Sequence, residues 1–140
     1  MFERYTEKAR GAIFLARHEA SKTRAQGIET SHLLLGVLRE HPHFLGDVQA
    51  AAAFIESYRL EITSAQGEEI PTSVDMPLSH ACKRALEYGM EEANEMGRQA
   101  IGAEHIFLGL LREDCAIAAR LARDYGIDMG SFRERVAKAE

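Results

Sequence analysis

The sequence predicts an all-α fold built from two copies of one helical module. A thirteen-residue stretch, residues 28–40, returns as residues 101–113 with seven identical positions, and internal repetition of this kind is typical of duplicated folds. Apolar residues recur at the spacing of amphipathic helices. No segment shows the sustained alternation of β-branched and polar residues that indicates a strand. We therefore expect eight helices, four in each repeat, related by a pseudo-twofold axis.

The first repeat opens with a long helix and a central helix. Apolar side chains recur at helical spacing over residues 3–24, and Gly27 is expected to end this helix. The central helix covers residues 33–40, and Thr30 or Ser31 can cap its first unpaired N–H groups. This second helix is apolar nearly all round, so we expect it at the centre of the fold.

Two shorter helices are expected to complete the first repeat. Pro42 marks a boundary, and the alanines at residues 50–53 suggest a short helix after it. A separate helix follows, whose buried face carries Ile55, Tyr58 and Ile62.

The second repeat follows the same scheme. A long helix is expected over about residues 79–96, with Gly97 as its stop. The central helix begins at about residue 103, a third helix covers residues 116–125, and a fourth begins at about Asp128, whose side chain can cap it.

The chain is interpreted as one domain, residues 1–140. The repeats occupy about residues 2–63 and 78–140, and the aperiodic, proline-containing residues 64–77 connect them. A repeat of about 60 residues with so apolar a central helix needs a partner face. The two halves are therefore expected to pack together and to leave a groove where they meet, and such grooves are natural docking sites.

Composition restricts the function classes. Lys+Arg 17 against Asp+Glu 22 gives a net charge of -5, which is the wrong sign for a general nucleic-acid binder. No secretory segment or membrane-spanning run is found, and Cys82 and Cys115 are interpreted as small buried side chains of a protein in a reducing, cytoplasmic compartment. No nucleic acid or membrane partner is expected.

The repeated motif, Ile-x-x-x-His followed by Leu-Gly-φ-Leu-Arg-Glu, and the opening residues 1–10 resemble the Clp N-terminal repeat domain. The resemblance is nearest to the N-domain of ClpC-type Hsp100 unfoldases and covers essentially the whole chain. It implies a non-catalytic, monomeric module without a cofactor, which receives adaptor proteins and protein substrates for a Clp unfoldase and protease. No G-x-x-x-x-G-K-[ST] is present, so the chain lacks the P-loop route to ATP hydrolysis. An excised domain and a free-standing Clp regulator both remain open.

The resemblance also implies an adaptor- and substrate-binding surface near the starts of the two long helices. In this sequence that surface would comprise Phe2, Arg10, Leu78, Lys83 and Glu87. An aromatic anchor surrounded by charges is a common composition for an interaction hot spot. The alternative is that Phe2 and Leu78 are core residues at helix starts and that the charges are simply solvated.

A second implied site recognises phosphoarginine through a Thr-Glu pair before the motif histidine. The match is partial, because the first copy has Thr30 and Ser31, without the glutamate. The second copy has Ala103 and Glu104, without the threonine. A carboxylate can pair with a guanidinium fork, so Glu104 is the residue that keeps this capacity.

Other chemical interpretations are weaker. His32 and His105 lie in the first turn of their helices, where the dipole disfavours the charged imidazolium, and both are interpreted as structural. Glu29 and His32 have a spacing used by di-metal bundles, but Gly102 replaces the glutamate in the second copy. A small helical metal protein or enzyme and a nucleic-acid-associated protein are therefore only alternatives, and no metal site is expected.

Overall fold

The chain is predominantly helical. The computed structural model describes residues 3–113 and 116–139, with the side chains of residues 116–118 excepted. Within these residues it contains seven α-helices, one 3-10 helix and no strand, which confirms the predicted all-α class. The α-helices are α1 (Glu7–Lys22), α2 (Thr30–Glu40), α3 (Val48–Ile62), α4 (His80–Glu95), α5 (Ala103–Glu113), α6 (Ala116–Tyr125) and α7 (Met129–Lys138).

The predicted count of eight α-helices is wrong by one. The two short helices expected after Pro42 are a single helix, α3, and the eighth helical segment is the 3-10 helix Pro42–Leu45. Asp47 caps α3, since its carboxylate accepts the backbone N–H of Ala50 at 2.7 Å. The helix then continues because alanine has the highest helix propensity and no glycine or proline interrupts the segment.

Two predicted helix boundaries are also wrong. The first helix ends at Lys22, and Arg24, with φ 60°, takes the left-handed conformation expected near Gly27. The corresponding α4 does end before Gly97, with φ 71°, as predicted. Helix α2 begins after Glu29, so Thr30 and Ser31 are its first residues rather than its caps.

The pseudo-twofold relation is visible in two equivalent pairs of backbone hydrogen bonds between the repeats. The Thr6 N–H donates to the Ile101 carbonyl at 3.0 Å, and the Ile101 N–H donates to the Arg4 carbonyl at 2.8 Å. Adding or subtracting 73 gives the second pair, in which Ser79 donates to Ile28 at 2.9 Å and Ile28 donates to Pro77 at 2.8 Å. The segment before the long helix of each repeat is thus hydrogen-bonded to the segment before the central helix of the other repeat.

Within each repeat the central helix crosses the long helix at a motif glycine. A Cβ added to Gly36 would lie 2.1 Å from the Ala12 carbonyl oxygen, and one added to Gly109 would lie 2.0 Å from that of Ala85. Only a residue without a side chain permits this backbone approach. The repeated Leu-Gly therefore sets the distance between α1 and α2 and between α4 and α5.

The core is continuous across the two repeats. Phe44 of the first repeat packs edge-on against Phe132 of the second, with ring centroids 5.1 Å apart, and is tilted against Phe107 at 5.1 Å. Such aromatic pairs add to the stabilisation from apolar burial. Cys82 is a buried free thiol of this core, as expected, whereas Cys115 lies outside the described residues. Among the described residues, none of the helices has the length and apolar character needed to cross a bilayer.

Candidate functional site

A groove runs along the start of α4, where the second repeat meets the N-terminal segment of the first. Its cavity is about 230 Å³. Three residues of the predicted adaptor surface, Leu78, Lys83 and Glu87, come together here. The full lining is Arg4, Tyr5, Leu78, Lys83, Leu86, Glu87, Met90 and Ile101.

Local helix chemistry positions the second-repeat side of the groove. Ser79 caps α4 by accepting the Cys82 N–H at 3.0 Å, which places Leu78 immediately before the helix. Lys83 and Glu87 are one turn apart on the exposed face. Leu86 and Met90 lie on the same side, with exposed fractions of 7% and 39%. The groove therefore has an apolar floor and a rim that carries both charge signs.

The first-repeat side is held rigidly. Arg4 donates through Nε to the Gln99 carbonyl at 2.8 Å and through Nη2 to the Asn94 side chain at 2.8 Å and the Arg98 carbonyl at 3.0 Å. Tyr5 is buried and pairs with Ile101 across the repeats. This wall is thus preorganised rather than loose.

Two residues of the predicted surface do not line this groove. Arg10 lies exposed on α1, at the position that corresponds to Lys83 through the offset of 73, so it belongs to the equivalent face of the first repeat. Phe2 lies outside the described residues. Sequence reasoning missed Leu86 and Met90, although their spacing from Lys83 and Glu87 marks the same helix face. It also missed Arg4, whose partners are 90 to 95 residues distant and leave no local signal.

The motif histidines cap their own helices. His32 Nδ1 accepts the Glu29 N–H at 2.9 Å, and His105 Nδ1 accepts the Gly102 N–H at 2.9 Å. Since Nδ1 is an acceptor, each neutral ring carries its proton on Nε2. Burial lowers the pKa of both rings. These contacts support the structural interpretation of the two histidines.

The two rings differ at Nε2. His32 Nε2 lies 2.9 Å from the Thr23 hydroxyl oxygen, to which its N–H donates. His105 Nε2 is buried and has no hydrogen-bond partner in the part of the chain that the structure describes. The residue corresponding to Thr23 is Met96, which offers no hydroxyl.

Each repeat also contains a buried carboxylate held by two arginines, and the glutamate that supplies it is the residue that sequence reasoning missed. Glu19 is completely buried and accepts from Arg59 Nε at 2.7 Å and Arg39 Nη1 at 2.9 Å. Burial alone would raise the pKa of the Glu19 carboxyl, but the hydrogen bonds and charges of the two arginines lower it. The equivalent cluster is Glu92 with Arg133 and Arg112. The available signal was that Glu19 and Glu92 are also 73 residues apart.

The residues of the predicted phosphoarginine site lie at two separate places, one per repeat. Ser31 lines a cavity of about 650 Å³ at the start of α2, which Glu29 and Glu68 also line, whereas Thr30 is not part of the lining. Glu104 Oε1 lies 3.7 Å from His105 Nδ1. Its carboxylate occupies the space beside Gly102, where a Cβ would meet it at 1.5 Å.

The described residues contain no group of three or more metal-ligating side chains placed to share an ion. The spacing of Glu29 and His32 is explained by the helix cap, because His32 Nδ1 is occupied by the Glu29 N–H. The pair is therefore not available as two ligands on one helix face.

Several known proteins resemble this chain in sequence and in fold. The sequence matches the family model of the Clp repeat (R) N-terminal domain over residues 4–125 and 77–139. Among curated relatives, 99% of the chain is 35% identical to the chloroplastic chaperone protein ClpC1 of Arabidopsis thaliana. The chain is 34% identical over 97% of its length to the negative regulator of genetic competence ClpC/MecB of Bacillus subtilis (strain 168). It spans only 15% and 17% of these two relatives.

A solved structure has the same fold. It is the N-terminal domain of the caseinolytic protease associated chaperone ClpD from Arabidopsis thaliana, with a TM-score of 0.76 and 31% sequence identity. The match covers 96% of this chain and 92% of that one.

Proposed function

This chain belongs to the Clp repeat N-terminal domain family, and we propose that it is a non-catalytic protein-interaction module that receives adaptor proteins or protein substrates for a ClpC-type unfoldase and protease. The observation that carries the proposal is the α4 groove, the cavity of eight lining residues along the start of α4. It combines an apolar floor, a rigid wall and a rim with both charges. These are features of a peptide-docking site.

The shape and charges of the α4 groove suggest how a partner is recognised. An apolar side chain of the partner would enter between Leu78 and Met90 and lose contact with water. Lys83 and Glu87 would then pair with charges that flank this side chain. Ion pairs at an exposed rim contribute little affinity but select partners and orientation. In this proposal the chain binds no cofactor and performs no reaction.

Competition in a reconstituted degradation reaction tests the proposal. The Clp unfoldase, protease and adaptor of the source organism would degrade an adaptor-dependent substrate while the purified chain is added in excess over the adaptor. We expect the chain to slow degradation by binding the adaptor. Lys83→Glu should remove most of this effect, because it places like charges against each other at the rim, which is far more costly than the loss of a rim ion pair. Arg123→Glu, at an exposed position outside the groove, should not.

A second arm separates a regulator from an excised domain. In this arm the chain is added to an unfoldase whose own N-domains are removed. Restored degradation would support a free-standing regulator that supplements the ring. Pure inhibition of the intact system would support a domain acting by competition. An absence of any effect at saturating chain, or equal effects of the two variants, would refute the proposed role of the α4 groove.

A further inference from the structure

A second groove lies on a different part of the molecule, between the 3-10 helix of the first repeat and the α6–α7 loop of the second. Its cavity is about 340 Å³, within the lower range of small-ligand sites, about 300–1,000 Å³. None of its lining residues belongs to the α4 groove. We call it the α7 groove, and it is lined by His43, Phe44, Leu45, Gly46, Tyr125, Gly126, Ile127, Asp128, Ser131, Phe132 and Arg135.

The floor of the α7 groove is aromatic and well fixed. Phe132 is 3% exposed, and Phe44 packs edge-on against it. Gly46 ends the 3-10 helix and Gly126 follows α6, and both lie in the groove lining with positive φ, 109° and 64°. The floor is therefore part of the contact between the repeats and does not depend on a loop closing over it.

Arg135 provides a positive charge in the α7 groove that has no ion-pair partner among the described residues. Its side chain is exposed, and its guanidinium carbon lies over the Phe132 ring, 5.2 Å from the centroid. Within the described residues no ion pair or side-chain hydrogen bond joins this guanidinium to an oxygen. The nearby Asp128 carboxylate is already engaged, since it accepts the Ser131 N–H at 2.9 Å and caps α7.

The pseudo-twofold axis allows the surroundings of Arg135 to be compared with those of an equivalent aromatic ring, Tyr58. On the other side of this axis Arg120 of α6, in the second repeat, meets Tyr58 and Glu61 of α3, in the first repeat. The Arg120 guanidinium lies over the Tyr58 ring at 5.6 Å and pairs with the Glu61 carboxylate at 2.8 Å. The offset of 74 places Tyr58 on Phe132 and Glu61 on Arg135, so the charge on the ring-bearing helix is reversed.

Asp47, which the offset of 73 places on Arg120, does not supply this carboxylate. It precedes α3, and its carboxylate accepts the Ala50 N–H and caps that helix. The arginine beside Tyr58 thus has a paired carboxylate, whereas the arginine beside Phe132 has no carboxylate paired to it among the described residues.

We propose that the α7 groove binds an acidic peptide segment, with an apolar side chain on the Phe44–Phe132 floor and a neighbouring carboxylate on Arg135. The carboxylate would take the position that Glu61 takes beside Arg120 and form the planar, bidentate pair that arginine favours. The aromatic floor explains why an apolar neighbour is needed. The Asp128 carboxylate on the wall favours a single carboxylate over a highly charged phosphate chain, because it would repel the latter.

The test uses the full 140-residue chain labelled with ¹⁵N and the peptide acetyl-Gly-Phe-Asp-Gly-amide. We expect amide shifts confined to Gly46, Gly126, Ser131, Phe132 and Arg135. The same peptide with asparagine in place of aspartate should bind at least about tenfold more weakly, as should the Arg135→Gln variant with the original peptide. Arg123→Gln is the matched control, because it removes one exposed arginine outside the α7 groove and should leave binding unchanged.

Several results would overturn this assignment. They are equal binding of the aspartate and asparagine peptides, equal effects of Arg135→Gln and Arg123→Gln, shifts that map to Lys83 and Glu87, or tighter binding of oligothymidylate to the same residues. The spectrum of Arg135→Gln without peptide checks that the exposed substitution leaves the fold intact. Since the α4 groove shares no residue with this one, failure of the peptide to bind would leave the proposed function untouched, and failure of the degradation assay would leave this site untouched.

Discussion

Replacing Met96 by threonine should give the buried His105 ring the hydrogen bond that His32 already has. Thr23 and Met96 occupy the same place, the C-cap of the long helix in each repeat. Their backbone angles are nearly equal, with φ -92° and ψ 7° for Thr23 and φ -85° and ψ 0° for Met96. A threonine at residue 96 would therefore direct its hydroxyl to the His105 Nε2–H as Thr23 does to His32.

The magnitude follows from two opposing contributions. A buried donor without a partner costs about 1–3 kcal/mol. Met96 is only half-buried, so shortening it loses apolar contact worth about 1 kcal/mol. We expect Met96→Thr to raise the free energy of unfolding by about 1 kcal/mol over the original chain. Met96→Val has the shape of threonine without the hydroxyl, and it should be less stable than Met96→Thr by about 1–2 kcal/mol.

Urea denaturation at pH 7.5 followed by circular dichroism measures both differences. The converse substitution, Thr23→Val, should leave the His32 ring without its partner and lower the free energy of unfolding by about 1–3 kcal/mol. Equal stability of Met96→Thr and Met96→Val would show that the His105 ring gains nothing from a hydroxyl. The absence of a hydroxyl at residue 96 would then have no effect on the stability of the fold.

Three other predictions concern the motif residues. Gly36→Ala should lower the free energy of unfolding by about 3 kcal/mol, because its Cβ would overlap the Ala12 carbonyl. The control Gly11→Ala should cost less, since its Cβ would meet only the movable Glu40 side chain. Equal losses of stability in urea denaturation would contradict this prediction. Burial lowers the pKa of His32 and His105. Below about pH 6.5 the two rings are therefore more protonated in the unfolded chain than in the folded one, and the free energy of unfolding should fall as the pH drops. The double variant His32→Gln with His105→Gln keeps a cap acceptor and should show a flatter profile between about pH 6.5 and 5. Of the histidines with a lowered pKa, only the half-buried His18 and His41 then contribute. An unchanged profile would refute the assignment. In a calorimetric titration with phosphoarginine, Glu104→Gln should weaken binding at least about tenfold, whereas Ser31→Ala should not. Weaker binding by Ser31→Ala than by Glu104→Gln would place the site in the first repeat.

Much of the fold follows from local and repeated sequence signals. The apolar spacing locates the long helix and the central helix of each repeat, and Asp128 caps α7 as expected, since its carboxylate accepts the Ser131 N–H. The predicted break after the alanines of α3 is wrong because alanine favours continuation of the helix and no glycine or proline interrupts the segment. The caps at Thr30 and Ser31 are wrong because the helix already begins at Thr30. Glu29 is the N-cap residue, and its own N–H donates to His32 Nδ1.

The α4 groove was predictable only in part. Leu78, Lys83 and Glu87 come from one helix start, so a motif on contiguous sequence could indicate them together. Arg4 and Ile101 complete the groove through contacts between the repeats. Such contacts depend on how two modules pack, and no local pattern encodes them.

The sequence by itself determined the helical class, the duplication and the family, because periodicity, the 73-residue offset and the Leu-Gly motif are properties of residues near one another or repeated along the chain. The tertiary structure decided which charges are satisfied. It showed that Glu19 and Glu92 are neutralised by two arginines each, that Asp47 caps α3 and does not pair with Arg135, and that one motif histidine lacks a hydroxyl partner. These outcomes depend on distances of a few ångströms between separate helices, which only the packing of the two repeats establishes.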